Sequence, residues 1–449
     1  MSTVRWKAAM VWMGLLGLTR PVAAQQDSAT RRDSQPSLAE QVEVLDQKVR
    51  VLARLLELQR DSVAAAAKQQ PKVTAGKEGF VIRSADGDFQ FRLRGLLQAD
   101  GRAFPDGAPA LGTSALFLRR ARPITDLTAF KYFTVRLTPD FGQGKVVLFD
   151  AYLDFRLGTG LSFRTGKAKP QIGLERLQSA SDIRFIERGL PTNLVPNRDV
   201  GFQAFGDLAG GRLSYAAGVF NGVPDLGNLD GDATNSKDLV GRLFAQPIKG
   251  LGFGIAGSSG IEHGTVTAPS LAAYVTPGQQ PMFRYRDSTI ANGRRYRVTP
   301  QAYVYAGPLG LLGEYVVSSQ VVTRGAAVGE LKHTSWQVAG SWYVTSERAS
   351  FTTVAPRRPF DPSAKGWGAL EIGARYGELT IDDVAFPTFA NTANAVRDAR
   401  AWGVGVTWHF AWGVQLSANY EQTRFTGGAA AGGDRATEHF FVTRFQQSF

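Results

Sequence analysis

From Gly79 to Phe449 the sequence repeats one pattern: runs of eight to twelve residues in which apolar and polar side chains alternate, separated in turn by short and by long breaks. A period of two marks a strand with one apolar and one polar face. In DFQFRLRGLLQAD, residues 88–100, Phe89, Phe91, Leu93 and Leu97 alternate with Gln90, Arg92, Arg94, Gln98 and Asp100. VVLFDAYLDFRL sets Val147, Phe149, Ala151, Leu153 and Phe155 against Asp150, Tyr152, Asp154 and Arg156. Short breaks fall at 158–160, 209–211, 248–250, 306–309 and 410–412, long ones at 102–114, 169–199, 222–236, 260–297, 380–397 and 426–437. Counting between them gives sixteen strands, with residues 345–366 as one unusually long excursion on the short-turn side.

The N-terminus decides where such strands must work. Arg5 and Lys7, an apolar run from Ala8 to Leu18 and then Val22-Ala23-Ala24 have the form of a secretory signal cleaved after Ala24. No stretch has the roughly 20 apolar residues of a spanning helix. In hydrocarbon every backbone N–H and C=O needs an internal partner, so an exported chain of this kind can cross a bilayer only as a closed barrel. Strands with dyad patterning, short turns at one end and long loops at the other are what such a barrel requires, whereas a soluble β-sandwich would show shorter strands and no ordered loop asymmetry. Phe441, Phe445 and Phe449 share one face of the last strand, as lipid contact and recognition by insertion machinery would have them. The fold class expected is all-β, a sixteen-stranded transmembrane β-barrel preceded by a helix.

That helix is written in heptads. Leu38, Val42, Leu45, Val49, Leu52, Leu56 and Val63 step by four and three, with Gln59 the polar position in the seam, as in a short parallel coiled coil; the alternative is an amphipathic helix lying on its own domain. Gln69, Gln70 and Pro71 end it. The expected divisions are a signal peptide at 1–24, a polar linker and periplasmic coiled coil at 25–78, and the barrel at 79–449.

Charge gives the barrel a direction of use. Of the formal +12, Arg5, Lys7 and Arg20 supply three and residues 25–78 one, leaving +8 on the remainder. Nucleic acid is not expected as the partner of an exported protein. If Phe89, Phe91 and Leu93 face lipid, Arg92 and Arg94 face the lumen, since an arginine at the bilayer midplane costs roughly 2–4 kcal/mol. The long break at 169–199, with the residues leading into it, carries Lys167, Lys169, Arg176, Arg184, Arg188 and Arg198; folded inward over 169–199, it would narrow the bore and set cations at the neck, some of them paired with Glu175, Asp182, Glu187 and Asp199. Rings of Arg and Lys select anions, and the planar guanidinium fork suits phosphate.

Enzyme and cofactor readings find no support in the residues. GFGIAG at 252–257 matches a dinucleotide fingerprint but lies inside an alternating strand with no helix after it. His263, His333, His409 and His439 are scattered, and there is no cysteine. The Asp230 and Asp232 loop lacks the glycine and glutamate of a calcium hand. No enzyme activity, cofactor or metal is expected.

Several stretches together carry a resemblance: GFVIRSADGDFQFRLRGLLQAD, FLRRARP, VVLFDAYLDF, GKAKPQIGLERL, SDIRFIERGLP, VPNRDVGFQ, GVFNG, GPLGLLGEY and GWGALEIGARY. Over essentially all of residues 77–449 the chain resembles the phosphate- and polyphosphate-selective porins of Gram-negative outer membranes. It departs from their usual pattern at Pro170, directly after Lys169, and at Val344-Thr345-Ser346-Glu347. The resemblance implies a sixteen-stranded, usually trimeric barrel with an inward-folded third loop and a basic lumen, with an N-terminal coiled coil as in some relatives. Lys167, Lys169, Arg119, Arg120 and Arg122 fall at matching basic positions. The expected function is passive passage of anions, phosphate or polyphosphate, through an Arg- and Lys-lined lumen. The expected partners are two further copies of the chain, outer-membrane lipid, inorganic anions and, through the coiled coil, cell-wall material. The alternatives are a general diffusion porin with mild anion bias and a structural envelope tether.

Overall fold

The computed structural model describes residues 37–105, 112–232 and 234–449; the expected signal peptide and the polar stretch at 25–36 lie outside the described residues. Helix α1 (Leu38–Gln69) starts on a reciprocal cap. Ser37 N–H donates to Glu40 Oε2 at 2.8 Å and Glu40 N–H to Ser37 Oγ at 3.3 Å, which satisfies two of the amides a helix start leaves unpaired. It ends two residues before Pro71, which has no N–H to continue it. Every seam position from Leu38 to Val63 is exposed, and so are Val44, Val51, Leu55 and Leu58, so the apolar surface of α1 is wider than its heptad seam.

The strands are β1 (Lys72–Gly76), β2 (Gly79–Arg83), β3 (Gln90–Ala103), β4 (Ala115–Ala129), β5 (Phe133–Asp140), β6 (Val147–Arg156), β7 (Ser162–Ala168), β8 (Asp199–Leu208), β9 (Leu213–Phe220), β10 (Asp238–Ile248), β11 (Leu251–His263), β12 (Tyr274–Val275), β13 (Pro281–Phe283), β14 (Ile290–Ala306), β15 (Leu309–Arg324), β16 (Ala327–Tyr343), β17 (Ala369–Thr380), β18 (Val396–Ala411), β19 (Val414–Gly427) and β20 (Glu438–Ser448). Sixteen of them, β3–β11 and β14–β20, pair antiparallel with their sequence neighbours, and β20 closes the ring on β3. At the seam Arg444 lies directly opposite Asp100 and grips it through both guanidinium arms, at 2.7 and 2.8 Å. Where β20 runs out, β2 takes over along β3, pairing Phe80 with Leu93 through Arg83 with Gln90. Pairing thus begins at Lys72, seven residues before the alternation in the sequence shows it, because β1 and β2 form a hairpin too short to display a period.

The two faces are sorted opposite to those of a water-soluble protein. On β19, Gln415, Ser417, Asn419, Glu421 and Thr423 are buried while Leu416 is exposed; on β17, Glu371 and Arg375 are buried while Ile372 and Tyr376 are exposed. Phe441, Phe445 and Phe449 are likewise exposed. Polar side chains inside and apolar ones outside fit a barrel wall set in lipid around a polar interior. Phe133, Phe155, Phe163 and Phe202, on four consecutive strands, form a stacked row with near-parallel rings and centroids 4.9, 6.5 and 5.8 Å apart, in the manner of an aromatic girdle.

One end of the barrel has tight connections such as 157–161, 249–250 and 412–413, and the other has the long loops. Two connections exchange character. Residues 344–368 form a long excursion at the tight end, as the sequence count required, whereas β15 and β16 at the loop end join through a turn at Gly325, whose φ of +58° suits a residue without a Cβ.

Candidate functional site

The connection between β7 and β8 has only short helical turns, α2 (Leu174–Leu177) and Leu190–Leu194, yet it is the most thoroughly buried segment of the chain. Irregular backbone at membrane depth is stable only where protein or a wet cavity satisfies it. Here wall side chains do so from many directions. Gln98 on β3 donates to Ala180 O, Glu314 on β15 accepts from Leu174 N–H, and Asn419 on β19 accepts from Ile186 N–H. Arg375 on β17 and Arg444 on β20 donate to Glu187 O and Ile186 O. The segment therefore lies inside the ring of strands. From the tight end the 344–368 excursion meets it. Gln178 donates to Phe351 O, Thr353 hydrogen-bonds Asp182, and Arg184 reaches both Ser350 O and Glu371.

Beside this segment lies a cavity of about 190 Å³. Its charged lining is Arg119, Arg120, Arg122, Lys169, Arg176, Arg188 and Arg198 against a single carboxylate, Glu187. Arg119 and Arg120 are adjacent, and strict alternation would turn one of them toward lipid. A β-bulge prevents it. Gln98 pairs with Arg120 but Ala99 pairs with Leu118, so Arg119 is the extra residue, and both arginines point inward to Glu187.

How the cations are partnered decides what the cavity can do. Arg122 pairs with Asp140 and Arg198 with Asp150, each at 2.7 Å. The acids of the segment itself are taken by the wall: Glu187 by Arg119 and Arg102, Glu175 by Gln337 and Arg375. Asp199 is taken by backbone N–H groups of Gly222 and Val223. Among the described residues, Lys169, Arg176 and Arg188 have no carboxylate within ion-pair distance. Lys169 donates to Leu177 O and Gln178 O, Arg188 to Glu175 O and Gln178 O, and Arg176 to Thr192 O and Asn197 Oδ1. Neutral oxygens accept from these groups and leave their charge, and Arg176 Nε is buried with no acceptor among the described residues. Burial, with Arg198 and Arg188 nearby, pushes the Lys169 ammonium well below the ordinary lysine range. Burial and the same crowding of cations bring Arg176 down to about 9, and both burial and Arg198 bring Arg188 to about 10, so both guanidiniums stay charged at neutral pH. Burial alone would raise the Glu187 carboxyl, but Arg119 and Arg120 outweigh it and hold it well below the usual carboxylate range.

Seven of the eleven basic residues singled out in the sequence thus line one cavity. Arg92, Arg94, Lys167 and Arg184 stand apart from it. Arg92 pairs with Glu78 and Arg94 with Asp126, Lys167 is buried against Asp230 of the next long loop, and Arg184 pairs with Glu371. Alternation does place Arg94 inward, where Asp126 on β4 also holds Arg136. Sequence reasoning left out Arg102, Arg444 and Arg375. Each lies on the polar face of an alternating strand, the signal that could have found them, but no local charge cluster drew attention to them.

The pattern "Phosphate-selective porin O and P" matches residues 91–449. The chain belongs to that family. Porin O of Pseudomonas aeruginosa is 23% identical over 414 residues, covering 83% of this chain and 91% of the relative. Among solved structures, the outer membrane channel DcaP of Acinetobacter baumannii superposes with a TM-score of 0.55 at 11% identity, over 84% of this chain and all of that one. The anion-selective porin from Comamonas acidovorans does so with a TM-score of 0.51 at 12% identity, over 80% of this chain and all of that one. The protein is an outer-membrane porin, a channel protein by family and fold; tight turns of such barrels face the periplasm and long loops the exterior.

Proposed function

We propose that this porin passes anions, phosphate or polyphosphate, by passive diffusion through the cavity beside the 169–199 segment, which acts as the neck of the bore. One observation carries the reading: Lys169, Arg176 and Arg188 line the cavity with neutral hydrogen-bond acceptors in place of carboxylates. Cations without a carboxylate partner, the Arg176 and Arg188 guanidiniums foremost, give a field that favours an anion, and a volume of about 190 Å³, on the order of six water molecules, admits a tetrahedral oxyanion with some of its hydration. Arg119, Arg120, Arg122 and Arg198 supply further guanidinium forks within reach of a bound oxygen. Arg92, Arg94, Lys167 and Arg184 are assigned the approach to the neck, where their paired acids weaken the field they give. The wide apolar surface of α1 supports assembly of the protein as a trimer through a coiled coil.

The test is planar-bilayer recording of the purified protein. A reversal potential of anionic sign in a KCl gradient, together with block of chloride current by inorganic phosphate, is the expected result. Chloride current indifferent to phosphate would leave a general diffusion porin with anion bias.

A further inference from the structure

The carboxylate of Glu187 sits in a nest of arginines. Its Oε1 accepts from Arg119 Nε at 2.6 Å and Arg102 Nη2 at 2.8 Å, and its Oε2 from Arg119 Nη2 at 3.1 Å. Arg444 and Arg120 approach to 3.5 and 3.9 Å. Among the described residues only one other carboxylate serves these four guanidiniums, Asp100, which Arg444 holds on both arms. The nest is cationic even with Glu187 in place, and it is continuous with the cavity, because Arg119, Arg120 and Glu187 all line it. Two oxygens accepting from an arginine fork is the geometry a phosphate would take there.

The side chain is not what moors the chain at this point. Ile186 N–H goes to Asn419, Ile186 O to Arg444, Glu187 O to Arg375, and Arg188 to two carbonyls of its own segment. With the backbone held by three wall side chains, the Glu187 carboxylate is left to act on the charge of the cavity.

We propose that Glu187 is a tethered competitor for the transported anion: its carboxylate occupies the arginine seat at the cavity wall, shares Arg119 and Arg120 with an incoming oxyanion, and so keeps that anion weakly held and able to leave. The inference rests on the anion-passage reading and adds the residue that sets affinity within it. Conduction needs binding favourable enough to enter and weak enough to exit, and a fixed negative charge inside a cationic cavity supplies the second condition.

The test compares wild-type protein with Glu187→Gln and Glu187→Asp in planar bilayers, reading the inorganic phosphate concentration that halves the chloride current and the duration of blocking events. For an anion roughly 7 Å from the carboxylate, removing the charge should tighten block about threefold if the bore responds like water and about fiftyfold at the response of a partly buried pair. Glu187→Gln should therefore lower the half-blocking concentration and lengthen the events. Glu187→Asp, which withdraws the carboxylate by one methylene, should move both in the same direction by less, and it decides the matter should the glutamine variant fail to assemble. Block of equal strength in wild type and variants overturns the role of Glu187 and leaves anion passage standing. Block in the variants alone supports the competitor and overturns phosphate passage by the native channel, and absence of block in all of them overturns both.

Discussion

Replacing Arg176 and Arg188 together by glutamine tests the charge of the neck where it is least compensated. Treated as a sphere, a 190 Å³ cavity has a radius of about 3.6 Å, which puts an anion at its centre roughly 6 Å from a guanidinium on the wall. One unit charge at that distance stabilises the anion by about 0.7 kcal/mol at the dielectric constant of water and by about 2.8 kcal/mol at an effective value of 20. Each neutralisation should then lower anion occupancy between about threefold and about a hundredfold. In a tenfold KCl gradient a perfectly anion-selective pore reverses near 59 mV, and a tenfold loss of selectivity from a strongly selective starting point brings this to on the order of 40 mV. Arg92→Gln with Arg94→Gln is the matched comparison, because both arginines already face a carboxylate, Glu78 and Asp126. That pair should move the potential far less. Equal shifts from the two double variants, or none from Arg176 and Arg188, would refute the argument that partners rather than mere position decide which cations act.

Lys169 should make chloride selectivity pH-dependent. Its depressed folded-state pKa means the ammonium loses its proton at lower pH than an ordinary lysine, so reversal potentials should fall at a lower pH than that at which free lysine titrates, and Lys169→Gln should abolish that limb. The linked stability runs the opposite way and rises with pH through the same window, because the unfolded chain binds that proton more tightly. Gly95→Val should weaken the seam between β20 and β3. A Cβ at Gly95 would meet the Phe449 ring at 2.5 and 2.6 Å, and overpacking of that kind costs about 1–3 kcal/mol, readable as an earlier loss of the compact form in heated, unboiled electrophoresis. Unaltered heat resistance would show that the ring is not seated there. Deleting residues 25–69 should leave the conductance of each pore intact, since β1 begins only at Lys72; a loss of conduction in correctly inserted protein would give α1 a part in the channel itself.

Much of the barrel was legible because its physics is local. A strand between lipid and water must alternate, and residues such as Phe441, Phe445 and Gln446 show their side of the wall without knowledge of any neighbour. The long inward connection was legible from its length and its arginines. What stayed hidden was long-range pairing. Nothing near Lys167 foretells Asp230, and nothing near Glu187 foretells Arg102 and Arg119, because each pair joins different strands or loops. The bulge at Arg119 was hidden for a related reason: RRAR reads equally well as one outward and two inward arginines until the register of β3 against β4 is known.

The hidden part is also the part on which the proposal of anion passage rests. Counting cations in the 169–199 segment and letting its own acids neutralise half of them would yield a weakly charged neck. The fold distributes those acids differently. Glu175 turns to Arg375 and Gln337, Glu187 to Arg102 and Arg119, and Asp199 to backbone amides, so the carboxylates of the segment serve the wall, where Arg375 is also paired with Glu421. Serving the wall and uncovering Lys169, Arg176 and Arg188 are therefore one arrangement: each acid given to a wall group is an acid withdrawn from the cations beside the cavity. A substitution that returned an acid to those three cations should weaken anion preference while leaving the backbone contacts of the segment in place.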